Sequence, residues 1–118
     1  MTSSHLIPKG KLITCVLPKG KAKGVMEQLN KIGQTRINLA FVRGFDIHDQ
    51  APQGRLPDQV EKEILTVVCS TQEEAEEVFD FVYEKGELDR LGGGLMYMSS
   101  IAGTTAYLLP QDVVEAAE

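Results

Sequence analysis

Two stretches of this chain repeat one pattern, and that pattern leaves few folds open. Lys11 to Leu17 (KLITCVL) is a short apolar run rich in β-forming residues, stopped by Pro18. In residues 19–32, which follow, Ala22, Val25, Met26, Leu29 and Ile32 recur at helical spacing, with Gly33 placed to end the helix in a left-handed conformation. The second copy begins at Ile64 to Cys69 (ILTVVC). Ser70 and Glu73 then read as a capping box, and Ala75, Val78, Phe79 and Val82 form the apolar stripe of a helix ended by Lys85-Gly86. Each helix leads into a further strand, Thr35 to Phe45 after the first and Leu95 to Ile101 after the second. Thr104 to Leu109 reads as one more short strand, closed by Pro110.

The order is therefore β-α-β, a long connection, β-α-β. Doubling a βαβ-like unit in this way predicts an α+β, ferredoxin-like βαββαβ domain over residues 11–109, one antiparallel sheet with two helices. Right-handed crossovers put both helices on one face. Residues 1–10 read as a flexible lead-in and residues 110–118 as an acidic tail. The long connection, 46–60 (DIHDQAPQGRLPDQV), holds two prolines, a glycine and no sustained period. It reads as a mobile loop, and a loop of this length inside a compact domain is usually functional.

Neither KLITCVL nor ILTVVC alternates strictly. Both place apolar side chains on both faces of the sheet, as strands covered on two sides do. The two helices cover one face. Covering the other calls for something outside the domain, most simply another copy of the chain, so an obligate homo-oligomer is expected.

Composition narrows the function. The formal net charge of −5 disfavours a general nucleic-acid binder, and the local cluster Lys19, Lys21, Lys23 reads as a solvated helix start. No apolar run approaches the roughly 20 residues that span a bilayer. The polar Met-Thr-Ser-Ser-His start lacks the apolar core of a signal peptide, so a cytoplasmic protein without membrane insertion is expected. Cys15 and Cys69 lie inside apolar runs and read as buried thiols in a reducing compartment.

Catalytic signatures are missing. No Ser/His/Asp or Cys/His arrangement has a local signature, and the only histidines are His5 and His48. Glu73, Glu74, Glu76 and Glu77 read as the solvated face of a helix. No enzyme and no obligatory cofactor are expected. Gly92, Gly93 and Gly94 fit a backbone nest around an anion or, equally, a tight turn into a strand.

The segments KLITCVLPKGK, KIGQTRINLAFVRGFDIH, EKEILTVVCSTQEEAEEV and DRLGGGLMYMSSI resemble, in that order and spacing, the PII and PII-like signalling family. The resemblance covers about residues 11–109. It implies a homotrimer whose sheets face inward, with adenine nucleotides bound in clefts between subunits and the long T-loop docking on a partner, often a membrane transporter. Family members are linked to nitrogen regulation. Ile37 and Asn38 match positions that meet the adenine. Gly44, Phe45 and Asp46 match the T-loop base, and Gly92, Gly93 and Gly94 the B-loop, with Arg90 the nearby cation. His48 stands where the family has a metal-ordering glutamine, and Ile47 where it has a loop-base arginine. Phosphate-gripping arginines of the family correspond here to Ala106 and Leu108, and a B-loop cation to Leu95. An effector of low charge, such as ADP, AMP, a cyclic nucleotide or bicarbonate, is therefore favoured over MgATP. The loop holds no tyrosine to modify. The alternative is a divalent-metal-binding trimer resembling the CutA copper-tolerance proteins, which share this architecture; Asp46, His48 and Asp49 read either as an oxygen/nitrogen ligand set or as part of an ordinary polar loop.

Overall fold

Four long strands and two helices form the core of the computed structural model, which describes residues 5–44 and 60–106. The elements are β1 (Ile7–Pro8), β2 (Lys11–Pro18), α1 (Ala22–Lys31), β3 (Ile37–Gly44), β4 (Val60–Cys69), α2 (Gln72–Lys85), β5 (Leu95–Ser100) and β6 (Gly103–Thr104). The main sheet is wholly antiparallel in the order β3-β4-β2-β5. Both helices lie on one of its faces, which is the ferredoxin-like arrangement expected.

Alternation along the strands decides the core. Ile13, Cys15 and Leu17 of β2 and Leu65, Val67 and Cys69 of β4 point to the helices and are fully buried. They meet Ala22, Val25 and Leu29 of α1 and Ala75, Val78 and Val82 of α2. Fully burying one side chain of the Leu, Ile or Val type stabilises by about 1.5–3 kcal/mol, so this layer holds the fold. Both thiols are free, and burial pushes each up to about 11. Both are buried, as the sequence implied.

The helix ends differ from expectation in instructive ways. α1 starts at Ala22 rather than residue 19, because Pro18 to Lys21 form a turn closed by Lys21 N–H on the Pro18 carbonyl. No local side chain caps it. Instead Glu63, buried in β4, accepts a hydrogen bond from the Ala22 N–H at 2.8 Å. A carboxylate there also suits the positive end of the helix dipole. Ile32 falls just past the last turn and is exposed, so it leaves the predicted stripe, while Gly33 (φ +93°) supplies the left-handed residue. The capping box of α2 is shifted by one residue from Ser70/Glu73. The Thr71 hydroxyl accepts from Glu74 N–H at 3.1 Å, and the Glu74 carboxylate accepts from Ser70 N–H at 3.2 Å.

Strand limits shift too. β4 begins at Val60, four residues before the apolar run, because Val60 to Glu63 pair in register with Phe41 to Gly44 of β3. Val60, expected in the long connection, thus belongs to the sheet. Ile7–Pro8, expected in a flexible lead-in, pair with Gly103–Thr104 in a separate two-stranded ladder. The last expected strand, 104–109, is seen as β6 only; residues 107–109 lie outside the described residues.

The sheet face away from the helices carries Leu12, Val16, Ile64 and Val68, all half-buried, beside the exposed Leu95 and Tyr97. Its apolar character matches the two-sided strands read from the sequence. No helix among the described residues is long and apolar enough to cross a membrane.

Candidate functional site

The predicted site residues that are described fall into two groups at opposite edges of the sheet. On β3, Ile37 is opposite Val67, half-buried and packed on the helix-side core. Asn38 is exposed on the other face, its carbonyl accepting from the Thr66 hydroxyl at 3.5 Å. Gly44 closes the strand opposite Val60. Phe45, Asp46 and His48 lie outside the described residues, as does Asp49, so the residues of the metal-binding alternative do too. Among the described residues no group of three or more His, Cys, Asp or Glu side chains could hold a metal ion.

The second group sits before β5. Its start, Leu95, is level with Val16, Ile64 and Ala40 across the sheet. Three strand spacings of about 4.8 Å put roughly 14 Å between the two edges. One chain therefore does not bring Gly92–Gly94 to β3.

The glycine turn is built by close packing. Gly92 and Gly94 have φ of +76° and +123°. A Cβ on Gly93 would lie 2.6 Å from the Glu87 carbonyl, and one on Gly94 would overlap the Val16 carbonyl. Gly93 N–H donates to the Arg90 carbonyl at 2.9 Å. Carbonyl oxygens crowd this turn, so of the two readings of the triple glycine its geometry matches the tight turn into a strand. Arg90 is not a free cation: its guanidinium meets the Glu87 carboxylate at 2.5 Å, and Lys21 reaches the same carboxylate at 3.6 Å.

Sequence reasoning missed a third cluster, at the ends of β3 and β4 next to Gly44. Glu61 stands opposite Arg43 in the ladder, and its carboxylate lies 2.8 Å from Lys19 and 3.6 Å from Arg43. The Lys19 ammonium holds Glu61 below the usual carboxylate range, and Glu61 raises Lys19 in turn, both through a hydrogen bond and through charge. These side chains, with Phe41, Val42 and Lys62, line a cleft of about 370 Å³. Only the neighbouring letters of FVR and VEKE hinted at it; the pairing of two distant strands creates it.

No protein-family model and no curated protein matches this chain. Solved structures do. B. subtilis GlnK superposes with a TM-score of 0.61 and 16% identity, covering 79% of this chain and 85% of that one. The B. subtilis GlnK-ATP complex gives 0.62 and 16%, covering 79% and 82%. Arabidopsis thaliana PII bound to citrate gives 0.62 and 20%, covering 81% and 78%. With its antiparallel sheet and paired helices matched over about four fifths of its length, the chain has the fold of the PII proteins.

Proposed function

We propose that this chain is a PII-like regulatory protein that binds a small effector in clefts between the subunits of a homotrimer and acts on a partner protein without catalysis of its own. One observation carries the reading. Gly44 and Gly92–Gly94, described members of the two halves of the expected site, lie on opposite edges of one sheet, so a crevice built from both takes a neighbouring copy. The apolar sheet face opposite the helices supports assembly, since covering it removes Leu95, Tyr97 and their neighbours from water.

The effector proposed is an adenine nucleotide of low charge, ADP or AMP, or bicarbonate. The solved relatives bound to ATP and to citrate support a small anionic effector as the class. Exposed Leu95 and Ala106 and the internally paired Arg90 argue against a triphosphate, because each absent charge-assisted contact forfeits about 1.5–3 kcal/mol. The partner proposed is a membrane transporter engaged through residues 46–60. Two free, buried thiols favour a cytoplasmic setting.

Light scattering combined with calorimetry against ATP, ADP, AMP, cyclic AMP and bicarbonate tests this. A trimer binding AMP, ADP or bicarbonate more tightly than MgATP is expected. A stable monomer at micromolar concentration sinks the assembly, and nanomolar MgATP sinks the low-charge effector.

A further inference from the structure

Each oxygen of Glu61 faces a different cation, Oε2 toward Lys19 and Oε1 toward Arg43. The two cations come from separate parts of the chain, the turn after β2 and the end of β3, and they converge on this single carboxylate. Beside them Phe41 is 74% exposed, an unusual position for a phenyl ring. Arg43 and Phe41 are two residues apart in β3 and so share a face. The cleft they line, about 370 Å³, falls in the size range of small-molecule sites.

An exposed ion pair of this kind adds little to folding stability. The carboxylate is thus a weakly held anion between two convergent cations, next to a flat apolar surface. The glycine turn offers the opposite: carbonyl oxygens and an arginine already closed by Glu87.

We propose that this cleft is the anion end of the effector site, with Glu61 as a built-in placeholder: a ligand phosphate or carboxylate replaces Glu61 between Lys19 and Arg43 while a ligand ring covers Phe41. The inference rests on the effector-binding reading above and assigns the charged group of the effector to the base of β3. A planar ring on the phenyl face and a charge-assisted contact to Arg43 supply the attraction, and the departing Glu61 carboxylate turns to water. The ligand class that follows is a small ring compound bearing one or two negative charges, such as a nucleoside monophosphate or diphosphate.

Calorimetry on the full chain with AMP, ADP, bicarbonate and uncharged adenosine tests it, using the wild type and the variants Glu61→Gln, Arg43→Gln and Phe41→Ala. All three positions are exposed, and thermal melts verify that each variant is folded. Glu61→Gln is expected to tighten AMP and ADP about two- to fivefold, the scale of one exposed ion pair. Arg43→Gln should weaken both about tenfold, the scale of one charge-assisted contact. Adenosine should respond to Phe41→Ala but not to Glu61→Gln, and bicarbonate the reverse. AMP or ADP binding unmoved by both Glu61→Gln and Arg43→Gln overturns the placeholder and leaves the effector reading intact. No binding of any of the four probes to the wild type or Glu61→Gln overturns both.

Discussion

Two glutamates in this molecule do similar electrostatic work in dissimilar surroundings. Glu87, after α2, bridges Arg90 and Lys21; Glu61, at the start of β4, bridges Lys19 and Arg43. Around Glu87 the backbone is packed so closely that two of the three nearby glycines leave no room for a Cβ. Around Glu61 there is a cleft and an exposed phenyl ring. The same ion-pair motif thus closes a turn in one place and lines an open surface in the other. A charge pair by itself says little about function; the packing behind it decides.

Substitutions at the two regions should separate them. The largest effect is expected at the glycine turn. Gly94→Ala adds a Cβ against the Val16 carbonyl at φ +123°, and should destabilise by about 2–4 kcal/mol in urea unfolding. A wild-type midpoint for this variant breaks the claim that the turn is a packed element.

Glu63 sharpens the comparison from within the loop-base region, being the buried neighbour of Glu61. Glu63→Ala leaves the Ala22 N–H unsatisfied at a buried helix start and should cost about 1–3 kcal/mol by the same measurement. If Glu63→Ala and Glu61→Ala prove equally mild, the distinction between a buried cap and an exposed bridge fails.

The layer beneath both regions is tested by pH. Cys15 and Cys69 are raised from 9.0 to about 11 by burial, so the folded state prefers the neutral thiols more strongly than the unfolded chain does. Their contribution is complete below about pH 9 and drains away as the pH rises toward 11. The melting temperature of the wild type should fall more steeply across that window than that of a Cys15→Ala, Cys69→Ala double variant. Parallel slopes would mean the thiols are not desolvated.

The smallest effect is expected at Glu61. Glu61→Gln should leave the melting midpoint within about two degrees of wild type, because exposed ion pairs are screened by water. A large drop would give Glu61 the structural role assigned here to Glu87 and Glu63.

Much of the fold was legible before any coordinates. The doubled β-α-β pattern named the sheet and both helices, since apolar periodicity depends only on residues a few places apart. The buried helix positions Val25, Leu29, Ala75, Val78 and Val82 lie where that periodicity put them. Boundaries were less legible. The start of β4 at Val60 is set by its ladder with β3, and the Ile7–Pro8 strand exists only because Gly103–Thr104 lies beside it. Neither partner is nearby in sequence. That Gly92–Gly94 form a turn before β5 was legible from the residues, but the crowding of carbonyls around it is a matter of contacts with Glu87, Arg90 and Val16. Phe45, Asp46 and His48 fall outside the described residues.

By itself, the sequence determined the fold class, the buried faces of the helices and the presence of two free thiols, because these follow from local spacing and from which side chains avoid water. Tertiary structure alone decided which charges meet. Glu63 reaches α1 across 41 residues, Glu61 joins Lys19 to Arg43, and Glu87 closes Arg90. A carboxylate acts on whatever lies within a few ångströms of it, and that neighbourhood comes into being only when the sheet has paired.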